Sequence, residues 1–279
     1  MEYGFQQVDV FTSGKFKGNP VAVVSAADNL STEEMQAFAI WTNLSETTFL
    51  LKPTSPEADY RLRIFTPQSE LPFAGHPTLG SCHAWMTAGG KPKKNIIIQE
   101  CQAGLIPLRS ENNRLSFAAP TLVRSGDVEQ TLLERIAEGL RIPVSSILAS
   151  AWVDNGPGWI GIMLKSREAV LALKPDFASM SDLAFGVIGA WDGEKDGNDA
   201  QFEVRAFAMK HGVNEDPVCG SLNASMAQWL IGSGLAPKSY VVSQGKILGR
   251  DGRIYVDQID DTIWIGGATV SNITGRLSL

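Results

Sequence analysis

Glu46 lies in Asn43-Leu44-Ser45-Glu46-Thr47-Thr48-Phe49, between a helix end and a strand, with apolar Leu44 and Phe49 nearby. Burial raises a carboxyl pKa toward neutrality, which suits a general base or acid. A surface Glu opening a strand would look the same, and the local sequence alone favours that plainer role. His76, in Gly75-His76-Pro77, falls where a helix begins. Its ring can bond a ligand or move protons, or it can serve as a loop or capping histidine. Asp216, before Pro217, is a second acid–base candidate or a turn-former. Ser221 is a good N-cap residue, a role that explains it without any ligand. Gly75 and Gly220 permit close backbone approach to a ligand or tight helix packing. Cys219 stands beside Gly220; a helix N-terminus lowers thiol pKa and makes a reactive thiolate, whereas a small buried hydrophobe is the alternative.

These candidates belong to two copies of one motif. The first runs Arg63-Ile64-Phe65, then Leu71 to Gly80; the second runs Arg205-Ala206-Phe207, then Asn214 to Asn223. Each is an Arg-x-Phe strand, a loop, a glycine, a small polar or imidazole side chain, and an uncharged helix. Backbone N–H groups at a helix N-terminus bind anions. The duplication therefore predicts a substrate held by its carboxylate between two related half-domains.

The flanking elements repeat in matching order. Phe5–Phe11 and Val21–Val24 read as strands around the turn Gly18-Asn19-Pro20, and Trp152–Asp154 with Trp159–Leu164 echo them around Gly156-Pro157. Ser31, with Glu34 three residues on, predicts a capping box opening a helix. Ser45–Leu51 and Arg61–Phe65 read as strands, and Phe202–Phe207 echoes the second. Helices are predicted over Thr78–Ala88, with Pro77 at the first helical position, over Asp127–Leu140, and over Ser221–Gly232. The first and last are apolar or small nearly all round, so each is buried. Pro120 to Gly126 reads as an inter-domain crossing. The predicted class is α+β, with two pseudo-symmetric halves, each a curled sheet around one central helix. The expected domains are 1–120 and 121–279, with a closing strand at about 266–279 a candidate to rejoin the first.

The chain has 279 residues, 44% apolar and 19% charged, which fits about two soluble globular domains. Its net charge of −6 argues against nucleic acid or an anionic membrane as partner. Met1-Glu2-Tyr3 leads straight into a strand pattern, with no signal peptide read. The uncharged stretch Pro217–Pro237 carries too many polar residues and glycines for a bilayer helix. Three cysteines, without CxxC, suggest neither a disulfide framework nor a zinc site, and the three histidines lack metal-binding spacing. A cytoplasmic location is expected.

Taken together, Gly18-Asn19-Pro20-Val21-Ala22-Val23, Asn43 to Phe49, Arg63-Ile64-Phe65-Thr66-Pro67, Glu70 to Pro77 and Glu215-Asp216-Pro217-Val218 with Gly220-Ser221 resemble the PhzF family of phenazine-biosynthesis-type isomerases. The closing Gln244-Gly245, Gly249-Arg250 and Ile265-Gly266-Gly267 resemble it too, so the likeness spans nearly the full length. The resemblance implies the diaminopimelate-epimerase-like fold, a homodimer, and chemistry without cofactor or metal. It implies Glu46 as the base and acid that moves a proton between carbons of a small carboxylate-bearing substrate, a dihydro-hydroxyanthranilate in the phenazine makers. His76, Asp216 and Ser221 match other polar site positions, and the amides around Gly75–His76 and Gly220–Ser221 match carboxylate-binding positions. Related racemases use one cysteine at each helix mouth; here the first mouth has Ala74, so that mechanism is incomplete. Cys219 stands where the family pattern has threonine. Two alternatives follow: a racemase or epimerase pairing Cys219 with a non-thiol group such as Glu46, and a non-catalytic binding protein on the same scaffold.

Overall fold

A computed structural model of the chain describes residues 1–279. They form two compact units, Met1–Ala118 with Gly266–Leu279, and Ala119–Ile265.

The first unit opens with an antiparallel hairpin of β1 (Glu2–Val10) and β2 (Asn19–Ser25), in which Val10 faces Asn19. The helix α1 (Thr32–Thr42) then carries the chain to β3 (Thr47–Leu51), parallel to β2. The expected capping box is present: Ser31 Oγ accepts from Glu34 N at 3.1 Å and Glu34 Oε2 accepts from Ser31 N at 2.8 Å. Asn43 ends α1 in the left-handed region, φ 52°, a conformation asparagine tolerates better than most residues. Next come β4 (Tyr60–Phe65), antiparallel to β3, the short β5 (Glu70–Leu71) on β4, and α2 (Gly75–Thr87). β6 (Ile97–Cys101) returns parallel to β4, and β7 (Gly104–Glu111) and β8 (Arg114–Ala118) complete a meander. The last strand of the chain, β18 (Thr269–Ser278), pairs with β1. The spatial order is therefore β18-β1-β2-β3-β4-β6-β7-β8.

The helix α2 packs against β1, β2, β3, β4, β8 and β18, so the sheet curls around it. Its first ten residues, Gly75 to Ala84, are buried except His83. At Gly80 a Cβ would lie 2.3 Å from Val21 Cγ1 and 3.1 Å from Val10 Cγ2. Helix and hairpin approach so closely there that only glycine fits without displacement. A second cluster, Val24, Met35, Phe38, Phe49 and Phe65, lies beneath α1.

The second unit repeats this connectivity. β9 (Arg124–Gly126) pairs with β10 (Ala149–Asp154), as β18 pairs with β1. The stretch expected to be a bare crossing thus ends in a strand; Gly126, at φ 105°, follows two polar residues, and no apolar alternation announced it. The helix α3 (Gln130–Leu140) starts three residues later than predicted. β10 and β11 (Trp159–Leu164) form the hairpin; α4 (Arg167–Leu171) leads to β12 (Ala184–Ala190), parallel to β11. β13 (Phe202–Ala208) is antiparallel to β12 and carries β14 (Val213–Asp216). After α5 (Gly220–Gly232), β15 (Ser239–Gln244) runs parallel to β13, and β16 (Gly252–Ile259) antiparallel to β15. β17 (Thr262–Gly267) carries the chain out of the unit, which ends at Ile265. α5 packs on β10, β11 and β16, and a core of Ile136, Leu140, Ile160, Phe185, Val187 and Phe207 fills the other side of the sheet.

The Arg-x-Phe strands serve one purpose in both units. Arg63 lies 5.0 Å from the Phe65 ring centre and pairs bidentately with Glu70 at 2.7 Å; Arg205 lies 5.0 Å from that of Phe207 and pairs bidentately with Glu215 at 2.9 and 2.8 Å. Each pair ties a strand to the loop before the buried helix. The class is α+β, with two pseudo-symmetric halves. No helix is long and apolar enough to cross a membrane.

Candidate active site

In the first unit, α2 begins at Gly75, three residues before the predicted start. Ala74 is the N-cap and offers no side-chain acceptor; the first i→i−4 bond runs from Thr78 N to Ala74 O at 3.2 Å. Pro77 therefore occupies the third helical position rather than the first. It lacks an N–H where the helix needs none, and the amides of Gly75 and His76 lie ahead of the ladder.

His76 is 4% exposed, and its Nε2 lies 3.2 Å from Glu46 Oε2, whose side chain is 15% exposed. Two side-chain bonds set this meeting. Ser81, on α2, donates to Thr48 Oγ1 at 2.8 Å, and Thr48 donates to Ala22 O at 3.1 Å. Thr48 is two residues after Glu46, and Ser81 five after His76. Thr42 and Thr47, at 2.8 Å between hydroxyls, close the loop that carries Glu46. Burial pushes the His76 imidazole down to about 3, and the Pro20 carbonyl opposes this more weakly. The ring is thus neutral at ordinary pH, so its approach to Glu46 is that of an uncharged imidazole beside a carboxyl group rather than an ion pair. Behind the ring, Asn19 Nδ2 lies 3.2 Å from His76 Nδ1.

In the second unit, α5 begins at Gly220 with Cys219 as N-cap, again without a side-chain cap. Ser221 is therefore inside the first turn and does not cap the helix, as the sequence suggested. Its Oγ instead accepts from the Trp159 indole N–H at 3.1 Å and lies 3.5 Å from Cys219 Sγ. An indole N–H only donates, so the hydroxyl proton of Ser221 is left to point elsewhere. Asp216 ends β14 and accepts from Val218 N at 3.1 Å. Part of the residue stays accessible, but its carboxyl is closely surrounded. Desolvation raises it to about 6, more than the Cys219 thiol and the Val218 N–H lower it. Burial pushes the Cys219 thiol well above its usual range, and the Asp216 charge adds to this. That reverses the helix-mouth expectation: at neutral pH Cys219 is a thiol, not a thiolate.

Four further residues brace these mouths, none of them read from the sequence as a site residue. Gln244, 1% exposed, accepts from Cys219 N at 3.2 Å and Asn223 Nδ2 at 2.9 Å, and donates to Asp216 O at 3.0 Å. Asn155 donates to Ser221 O at 3.0 Å. Trp159 orients Ser221, and Asn19 backs His76. They lie 21 to 66 residues from their partners, so no spacing rule could find them. The order of the repeat was the one available signal: Asn19 and Asn155 follow equivalent strands. No three His, Cys, Asp or Glu side chains converge as a metal site.

The sequence profile described as "Phenazine biosynthesis-like protein" (PhzC-PhzF) matches residues 8–275. The chain is 41% identical over 301 aligned residues to "Antisense-enhancing sequence 1" of Schizosaccharomyces pombe, covering 99% of this chain and 98% of that one. It is 32% identical over 257 residues to a trans-2,3-dihydro-3-hydroxyanthranilate isomerase of Pseudomonas aeruginosa, covering 89% and 87%. Among solved structures, a PhzF-family protein of Enterococcus faecalis superposes with a TM-score of 0.83 at 26% identity over the whole of both chains. A hydroxyproline epimerase of Agrobacterium vitis shares the fold alone, with a TM-score of 0.56 at 12% identity over 100% of this chain and 93% of that one.

Proposed function

This chain belongs to the PhzC-PhzF family of phenazine-biosynthesis-like enzymes, and from that premise we propose a cofactor-independent isomerase acting on a small carboxylate-bearing substrate. Glu46 takes a proton from one carbon of a conjugated system and returns it to another. Electron pairs shift along the conjugated path, so nothing is oxidised or reduced overall. The observation that carries this reading is the Glu46–His76 contact at the mouth of α2. A carboxylate flanked by a neutral imidazole, rather than by a cation, stays free to accept a proton. His76 sets the environment of Glu46, Asp216 is a supporting acid–base group, and the first-turn amides of Gly75 and Gly220, with Ser221, bind the substrate and stabilise charge building on its carboxylate. The same reading gives a cytoplasmic homodimer, whose stoichiometry light scattering measures.

The family includes trans-2,3-dihydro-3-hydroxyanthranilate isomerases, so that compound is the first substrate to assay. Glu46→Gln keeps the shape and removes the base. Its turnover should fall by about a hundredfold or more; turnover within a few fold of wild type contradicts the reading. The racemase alternative needs a thiolate. It is disfavoured by the raised Cys219 thiol and by Ala74 at the other mouth.

A further inference from the structure

Resting on that reading of Glu46 and His76, we propose that Asn19 is a positioning residue that fixes the tautomer of His76 and so keeps the ring proton on the nitrogen that faces Glu46.

Donor and acceptor chemistry fixes which ring nitrogen carries the proton. A carboxamide nitrogen carries two N–H donors and accepts nothing. Asn19 Nδ2 lies 3.2 Å from His76 Nδ1. For that contact to be a hydrogen bond, Nδ1 must be bare and accept. His76 is neutral, since burial holds it down to about 3, so its single ring proton must sit on Nε2. Nε2 is the atom 3.2 Å from Glu46 Oε2. The ring therefore carries its proton on the nitrogen beside the carboxyl group and is closed behind by an amide. An amide N–H is far too weak an acid to relay a proton, so His76 cannot pass one through itself. Its work is to orient Glu46 and to stabilise its carboxylate.

The placement of Asn19 is itself tightly determined. It is the first residue of β2, paired opposite Val10, and its side chain is 0% exposed. The residue before it, Gly18, has room for no Cβ, which would lie 2.2 Å from Val10 O. Asp9, 1% exposed, accepts from Lys17 N at 2.9 Å and Gly18 N at 3.1 Å and so clamps the turn that delivers Asn19. The motif Gly18-Asn19-Pro20 is thus more than a turn: it ends in the group that sets the ring. Amide orientation and imidazole tautomer are one question. A ring that gave Nδ1–H to the nearby Pro20 carbonyl would hold the opposite tautomer, with a bare Nε2 able to take a proton.

Nitrogen-15 NMR of the whole protein decides between them without a substrate. There are three histidines, so His76→Gln identifies the His76 signals by their loss. At pH 7 the wild type should have a protonated Nε2 and a bare, accepting Nδ1. Asn19→Asp, of the same shape but an acceptor only, should put the proton on Nδ1; Asn19→Ala should leave a mixture of tautomers. In the exchange assay Asn19→Ala should lower turnover about tenfold or more with little change in KM. It should cause no further loss in a His76→Gln background. A wild-type ring protonated on Nδ1 overturns the proposal, even if the variants fail to fold. So does an Asn19→Ala protein whose His76 keeps the wild-type pattern. Failure of the Glu46 reading leaves the NMR result standing, so the two are distinguishable.

Discussion

At the scale of residues, the unequal helix mouths decide the chemistry. The first presents a neutral imidazole 3.2 Å from a carboxyl group. The second presents a buried thiol, a raised carboxyl group and a hydroxyl oriented by an indole. Cys219 has the right place for a racemase thiolate but the wrong environment, because desolvation and Asp216 both disfavour its anion. Cys219→Ala should therefore keep turnover within about threefold of wild type, as kinetics on the purified protein will measure; near-complete loss would restore the thiol to the mechanism. Glu46, His76, Asp216 and Ser221 were all legible as candidates from residue type and motif. Their partners were not. Trp159, Gln244 and Asn155 act through contacts made only once strands and helices meet, and asparagine in Gly-Asn-Pro reads as a turn residue on its own. Ser221 illustrates a local rule overridden by tertiary context: a good cap by propensity became the acceptor of a distant indole.

At the scale of elements, the repeated buried helix is the organising part. Its all-round small and apolar composition was enough to place it at the centre of a curled sheet. The start of each helix was misplaced because neither Ala74 nor Cys219 caps through a side chain. A mouth without a side-chain cap leaves its first-turn amides to other partners. Helix–sheet packing gives a pair of predictions of opposite sign. Gly80→Ala forces a Cβ to within 2.3 Å of Val21 Cγ1, a stiff β-branched neighbour. It should cost about 1–3 kcal/mol in denaturant unfolding. Gly232→Ala, at the exposed end of α5 with nothing within 4 Å, should instead stabilise by about 0.5–1 kcal/mol. Equal effects from the two would mean that Gly80 is not a packing contact. Strand β9 escaped the sequence because three exposed residues, Arg124 to Gly126, hold no periodic signal.

At the scale of the whole molecule, the two mouths impose opposite pH dependence on stability. His76 falls from its unfolded value of 6.5 to about 3. The unfolded state then binds more protons between those values, so its contribution to stability is lost as pH falls below 6.5. Asp216 rises from 3.8 to about 6. There the folded state binds more protons, so stability from this group is lost as pH rises from 3.8 through 6. Between pH 4 and 6 the two trends oppose. Asp216→Asn should stabilise the protein by about 2 kcal/mol above pH 6, after discounting for its partial access to solvent. His76→Gln should flatten the loss of stability on acidification. Melting curves over pH 4 to 8 check both signs; an Asp216→Asn protein no more stable than wild type at pH 7 would show that the carboxyl group is not strained there. The central claim at this scale is that one carboxylate, outside both copies of the repeat, moves the proton. Solvent-deuterium incorporation at substrate carbon, followed by NMR for wild type and Glu46→Gln at matched folded concentration, tests it most directly. The account predicts incorporation by the wild type and a loss of about a hundredfold or more in Glu46→Gln, with the fold intact. Wild-type incorporation by Glu46→Gln would contradict it.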